Sequence, residues 1–242
     1  MSSETFTFQQ FTIHQDRCAM KVGTDGVLLG AWAKGGKRIL DIGTGTGLIA
    51  LMMAQRYPHA HVWGIDIDPD ACLQAMENVA QSPFQHQIHI LHSSLQDFLP
   101  PSPTPIDVTG GGYFDSIVAN PPYYINSLKA PDGKRTLARH ADSLPPQALF
   151  DGVSRLLADD GTFCAIIPSD RMNDFLAEGY LHHLYPSCRC MVRTMPNKPP
   201  KRCLLSFQKQ RPKNIAETTV CMMESPNERS EWYQKMTGKF YL

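Results

Sequence analysis

No strongly apolar stretch in this 242-residue chain is longer than Leu48 to Ala54, which is too short to cross a bilayer or to form the apolar block of an export signal. Met1 to Gln10 also lacks a basic cluster, so neither a membrane partner nor export is expected. Net charge is missing too: 23 basic residues balance 23 acidic ones, and a nucleic-acid partner would need a local patch rather than the total field. The seven cysteines include no Cys-x-x-Cys pair, which removes the usual zinc and dithiol frameworks and fits reduced thiols in a cytoplasm. Cys188 and Cys190 alternate as strand residues do, without two further ligands nearby. His59 with His61, and His182 with His183, lack metal-site spacing, so no metal is expected. There is no internal repeat, and the one biased segment is Pro100 to Gly112. What the chain does have is 42% hydrophobic residues, enough for one sizeable core.

Phe6, Phe8, Phe11 and Ile13 alternate with polar residues as in a small hairpin, and Val27 to Ala33 reads as a short helix closed by Gly35-Gly36. Strand and helix then take turns. Strands are expected at Arg38 to Asp41, Val62 to Asp66, Ile88 to Leu91, Phe114 to Ala119 and Thr162 to Ile167. Helices are expected at Leu48 to Tyr57, from Asp68-Pro69 to Ala80, and from Ser143 to the Asp159-Asp160-Gly161 stop. Such alternation predicts right-handed crossovers and a doubly wound, mostly parallel α/β sheet. After a helix near Arg171 to Leu184, Cys188 to Thr194 and Arg202 to Lys209 are separated by too few residues for a crossover and should form an antiparallel hairpin, giving seven strands in all. Residues 1–36 read as an N-terminal extension and 37–242 as the main unit, together one compact domain.

Ligands in such sheets collect beyond the carboxyl ends of the strands. The first of these loops reads Asp41-Ile42-Gly43-Thr44-Gly45-Thr46-Gly47, with glycines at every second position ahead of a helix N-terminus, so its backbone can come close to a ligand. Its G-x-G-x-G spacing differs from the dinucleotide fingerprint G-x-G-x-x-G. It resembles the first motif of the class I S-adenosylmethionine-dependent methyltransferases, a Rossmann-like fold; the likeness implies that Gly43, Gly45 and Gly47 wrap the methionine end while Asp41 reaches its amino group. Asp66, closing the second strand, can accept both ribose hydroxyls. Asp68 reads as a helix cap. Asp97, after the third strand, fits either the adenine amine or a turn cap.

The fourth strand runs into Asn120-Pro121-Pro122-Tyr123. Two prolines fix the backbone and remove two N–H donors, leaving the Asn120 side-chain oxygen and the Pro121 carbonyl as acceptors. Two acceptors gripping a planar amino group would turn its delocalised lone pair outward, and Tyr123 would stack on the ring that carries it. The motif serves adenine, guanine and glutamine-amide methylation alike and does not name the substrate. Basic residues flank it. Lys129, Lys134, Arg135 and Arg139, with His140, face only Asp132. Arg189, Arg193, Lys198, Lys201, Arg202, Lys209, Arg211 and Lys213 occupy a stretch from Gly179 to Ala216 with no acid. A phosphate backbone suits both clusters, and Arg189, Arg193, Lys201 and Arg202 are the foremost candidates in the second.

Phe6 to Gln15, Lys21 to Trp32, the glycine loop, Asn120 to Tyr123, Arg135 to His140 and Phe240-Tyr241-Leu242 together resemble the bacterial valine-tRNA adenine N6-methyltransferases over nearly the whole chain. That resemblance implies methylation of the adenine just 3′ of the anticodon, position 37. It implies S-adenosylmethionine bound by Asp41, Gly43 and Asp66, with Thr24 and Asp25 lying over the cofactor pocket and Asn120 to Tyr123 on the target base in the anticodon loop. Two other readings compete: a protein glutamine methyltransferase, against which no helical substrate-binding domain precedes the sheet, and an inactive RNA-binding relative, against which Asn120 and Tyr123 are intact.

Overall fold

The computed structural model describes residues 4–18, 21–100, 112–122 and 144–242. A small hairpin, β1 (Thr5–Thr7) and β2 (Thr12–His14), pairs Phe6 with Ile13 as the alternation requires. Then come α1 (Thr24–Trp32), β3 (Arg38–Ile42), α2 (Leu48–Arg56), β4 (His61–Asp66), α3 (Pro69–Ala80), β5 (Ile88–His92) and β6 (Phe114–Ala119). The second half holds α4 (Pro146–Leu156), β7 (Leu157–Pro168), a 3₁₀ turn (Ser169–Arg171), α5 (Met172–Leu181), β8 (Tyr185–Arg193), β9 (Arg202–Gln208), β10 (Ala216–Cys221), the short pair β11 (Met223–Ser225) and β12 (Glu228–Arg229), and α6 (Glu231–Thr237).

The main sheet runs β10-β8-β9-β7-β6-β3-β4-β5, parallel except for β9, which is antiparallel to both neighbours. The seven expected strands are present, and β10 adds an eighth on the outer edge of β8. Successive strand residues bury into opposite layers. Ile39, Val62 and Val118 meet α1, α2 and α3 on one face, while Leu40, Trp63 and Ile117 meet α4 and α5 on the other. Burial on both faces is why these strands read as short apolar runs without polar alternation.

Several boundaries depart from the sequence reading; β8, for one, starts at Tyr185, three residues ahead of Cys188, and the helix before it ends at Leu181 instead of Leu184. The helix expected to reach Asp159-Asp160-Gly161 ends at Leu156, and the chain enters β7 at once. Leu157 pairs with Phe114, but the next matched pair is Ser116 with Thr162, so Ala158 to Gly161 bulge out of register and the acid–acid–glycine run marks a bulge instead of a helix stop. The first helix begins at Thr24, three residues before Val27. Its far end is held by Arg56, whose Nη1 donates to the Gly30 and Ala33 carbonyls at 2.8 and 2.7 Å, a cation placed where the helix macrodipole is negative. Pro100 and Gly112 border a stretch, 101–111, that lies outside the described residues.

Candidate active site

Strand register sets the geometry. Ile42, the last residue of β3, pairs with Ile65 on one side and Ala119 on the other. The next residues, Gly43, Asp66 and Asn120, therefore leave three adjacent parallel strands side by side, with neighbouring strands about 4.8 Å apart. After β3 the chain continues toward β4 and β5, and only later returns to β6 on the opposite side. The crevice between β3 and β6 is thus the switch point of the sheet.

Gly43, Gly45 and Gly47 all have positive φ, at 69°, 53° and 81°. An added Cβ at Gly43 or Gly45 would meet no atom within 4 Å, so the loop demands glycine for its backbone and opens onto free space. The loop is tied down from below: the Gly43 and Thr44 amides donate to the Ile65 carbonyl at 2.9 and 3.0 Å, and the Gly45 amide donates to Asp66 Oδ2 at 2.9 Å. Asp66 Oδ1 accepts from the Asp68 amide at 3.0 Å. A carboxylate has about four lone-pair sites, so two remain for a ligand. Asp68 caps α3 by accepting from the Asp70 amide at 2.9 Å, as its position before Pro69 predicts.

Asp41 lies beneath the loop with 0% of its surface exposed. Its Oδ2 accepts from the Thr44 hydroxyl at 2.8 Å and the Ala50 amide at 3.1 Å, while Oδ1 is buried without a partner among the described residues. Burial pushes its carboxyl up to about 7; the two donors oppose the shift and nearby Asp66 adds to it. An orphaned carboxylate oxygen under an open glycine loop is the environment a ligand ammonium group would complete.

Asp97, on the exposed turn after β5, accepts from the Ser94 hydroxyl through Oδ2 at 2.7 Å, and its own amide donates back to Ser94 Oγ at 3.1 Å. The turn-cap geometry is therefore present. Ile67, next to Asp66, is 47% exposed and offers an apolar surface there that the sequence reading did not single out. Thr24 is exposed at the start of α1. Asp25 Oδ2 accepts from Arg202 Nε at 2.7 Å, which fastens this helix to the start of β9.

The amino-terminal segment reaches the loop through Asn78, also 0% exposed. Its Nδ2 donates to the Thr46 and His14 carbonyls, both at 2.9 Å, and its Oδ1 accepts from the His14 amide at 2.8 Å. Sequence reasoning missed it. The signal was a polar residue on the apolar face of α3, beside Ala71, Cys72, Ala75 and Val79. Cys18 is buried close enough to Asp66 and Asp68 for their charges to act on it, though burial is the main cause that raises its thiol to about 11.

Asn120 is half-buried and Pro121 buried at the end of β6; Tyr123 lies outside the described residues, as do Lys129, Lys134, Arg135, Arg139 and His140. The second basic cluster divides. Arg189 pairs with Glu217, its register partner on β10, Arg202 with Asp25, and Lys209 with Asp159 at 3.2 Å. Arg193 Nη1 donates to the Pro196 carbonyl at 3.1 Å within the hairpin. Lys198 and Lys201 are exposed and have no ion-pair partner among the described residues. Among the described residues there is no group of side chains that could hold a metal and no helix long and apolar enough to cross a membrane.

A family model described as a methyltransferase domain matches residues 33–236. The chain is 45% identical to the tRNA1(Val) (adenine(37)-N6)-methyltransferase of Bacteroides thetaiotaomicron over 245 residues, covering 100% of this chain and 99% of the relative. It is 37% identical to the protein of the same name in Tolumonas auensis over 245 residues, covering 100% and 98%. Among solved structures it is similar to a predicted O-methyltransferase from Agrobacterium tumefaciens, with a TM-score of 0.66 and 15% identity over 89% of this chain and 96% of the other. It is also similar to Pyrococcus horikoshii TYW2 in complex with MeSAdo, with a TM-score of 0.56 and 14% identity over 87% and 74%. At those identities the likeness is one of fold.

Proposed function

This chain belongs to the family of the tRNA1(Val) (adenine(37)-N6)-methyltransferases, and from that membership we propose that it transfers a methyl group from S-adenosylmethionine to N6 of adenine 37 in the anticodon loop of a valine tRNA. The observation that carries this reading is the strand-end juxtaposition of Asn120-Pro121 with the open glycine loop, across the crevice between β6 and β3. The glutamine-amide and inactive readings draw no support from these relatives. A tRNA substrate also makes the cytoplasm the expected compartment.

The residues present fit the cofactor. Asp41 Oδ1 would take its ammonium group, the Gly43 to Gly47 backbone its methionine part, and the free lone pairs of Asp66 its ribose. Ile67 would offer an apolar face to the adenine, with Asp97 close to the adenine amine and Thr24 and Asp25 over the pocket. S-adenosylmethionine supplies a methyl group activated by its bond to a sulfonium sulfur. The chain does the rest. Asn120 Oδ1 and the Pro121 carbonyl accept the two N6 hydrogens of the substrate adenine, which turns the nitrogen lone pair out of the ring plane toward the cofactor side. The same two oxygens stabilise the positive charge that grows on N6, and the surplus proton leaves to water once N6 is tetravalent. Tyr123 would stack on the ring. An anticodon-loop base is already unpaired, so presenting it costs less than extruding one from a duplex.

The direct test is to incubate the protein with labelled S-adenosylmethionine and total tRNA from a strain lacking it, then map the labelled nucleotide. One N6-methyladenine, 3′ of a valine anticodon, is expected; label elsewhere in tRNA, or none, would refute the substrate assignment. Asp66→Ala should weaken cofactor binding by at least about tenfold, the value of a single charge-assisted hydrogen bond of the two it would make, as read by calorimetry. An unaltered Kd would remove Asp66 from the ribose role.

The ion pairs redistribute the RNA contacts. Arg189 and Arg202 spend charge inside the fold, so Arg193, Lys198 and Lys201 at the hairpin carry more of the contact with phosphate. Neutralising those three together should flatten the salt dependence of tRNA binding by about 2 in log–log slope, at roughly 0.7 per single-strand contact. A slope that does not move would make the hairpin a solvated surface.

A further inference from the structure

One cleft lies away from all of these groups. It measures about 180 Å³ and sits between the end of α5, the start of β8 and the loop leading to β10, lined by Tyr180, Tyr185, Pro186, Arg211 and Lys213 among others. The two tyrosine rings meet edge to face, with centroids 6.0 Å apart, and the Arg211 guanidinium lies 6.0 Å from the Tyr185 centroid. Tyr180 is 46% exposed. Neither Arg211 nor Lys213 has an ion-pair partner among the described residues. Glu178, the nearest acid on α5, is turned to His182, with its carboxylate 3.8 Å from the ring nitrogen. The closing carbonyls of α5 are also occupied: the Leu184 amide donates to Gly179 and the His183 amide to Tyr180. The cleft is therefore aromatic and cationic, and none of the described residues that line it is an acid.

Its place in the sheet gives it a use. β8 is parallel to β7, so Tyr185 marks the end of the sheet opposite Gly43, Asp66 and Asn120, and the nine residues of β8 put roughly 27 Å between Tyr185 and Arg193. Along β8, Arg189 and Arg193 each keep a buried Nε without a partner among the described residues. Aromatic faces combined with unpaired cations match a nucleotide, whose base stacks and whose phosphate is anionic.

We propose that this cleft is a second tRNA contact, taking an unpaired nucleotide outside the anticodon loop, its base against Tyr180 and Tyr185 and its phosphate on Arg211 and Lys213. This rests on the reading of the chain as a tRNA methyltransferase. The separation along the sheet is too great for the base being methylated and the nucleotide in the cleft to be loop neighbours.

The test compares intact valine tRNA with its isolated anticodon stem-loop, using filter binding and methyl transfer on the wild type, on Arg211→Glu with Lys213→Glu, and on Tyr185→Leu. The charge reversal should raise Kd and KM for intact tRNA about tenfold, leave kcat and cofactor affinity unchanged, and leave the stem-loop unaffected. Tyr185→Leu should produce a smaller loss confined to intact tRNA. Unchanged affinity for intact tRNA, or equal losses on both RNAs, would overturn the cleft while the catalytic reading stood. A wild type that binds tRNA but does not methylate it, with binding still weakened by the reversal, would sink the catalytic reading and keep the cleft. A wild type that does neither would sink both.

Discussion

Replacing Asn120 with alanine is expected to lower single-turnover methyl transfer by about 10² to 10³-fold, the range seen when one preorganised hydrogen-bonding group is removed from a transition state. Cofactor affinity should stay within a few-fold of wild type. The two readouts separate because Asn120 leaves β6 on the far side of β3 from Asp66, and the hydrogen bonds that tie down the glycine loop run to Ile65 and Asp66. Alanine removes the side-chain acceptor but keeps the Pro121 carbonyl, so one N6 hydrogen loses its partner and the lone pair relaxes toward the ring plane. Asn120→Asp is a useful second variant: it keeps an acceptor, adds charge, and should lose less than alanine. Full-rate transfer by the alanine variant would show that this side chain does not hold the amine. Parallel losses in turnover and cofactor affinity would indicate instead that the strand end had collapsed.

The elements around this site were largely readable because each strand buries residues on both faces and is therefore a compact apolar run, and each turn carries its own chemistry. Asp68-Pro69 predicts a capped helix, and the cap hydrogen bond is present. Asp-x-Gly-x-Gly-x-Gly predicts a loop whose backbone can come close to a ligand, and all three glycines adopt positive φ, with open space above Gly43 and Gly45. The failures share a different cause. Leu156-Leu157-Ala158 is apolar in a way that suits helix or strand, and only pairing with Phe114 on β6 decides the boundary. β10 reads Ala-Glu-Thr-Thr-Val-Cys, an edge strand that buries little, so it leaves no apolar mark. Because β10 went unseen, Arg189 looked free; its partner Glu217 lies 28 residues on, and Asp25 lies 177 residues from Arg202. A tally of charge along a segment sees local neighbours, while ion pairs are chosen by the fold. Asn78 illustrates the same limit: its polarity on an apolar helix face was visible, but its partners at His14 and Thr46 belong to distant turns of the chain.

Cofactor affinity should fall about a hundredfold as pH drops from 8 to 5, and Asp41 is the reason. In the cofactor-free fold, burial raises this carboxyl from 3.8 to about 7. A folded-state value above the unfolded one means that the fold prefers the neutral acid, so Asp41 contributes least to stability above about pH 7 and progressively more as pH falls toward 4. Binding has the opposite preference. An ammonium group seated on Oδ1 requires the carboxylate, and below pH 7 a proton must first be expelled, which costs a factor of ten in affinity per pH unit. An α-amino group itself loses its proton near pH 8, so affinity should peak in the narrow interval between about 7 and 8. Asp41→Asn should bind weakly and lose the acid limb of this profile while becoming more resistant to unfolding above pH 7, because a neutral amide no longer carries the buried charge. Calorimetric titration at half-unit pH steps, with near-UV circular dichroism to verify folding, measures both limbs. A wild-type Kd that is constant from pH 5 to 8 in a folded protein would show that Asp41 is either ionised throughout or remote from the ligand amine.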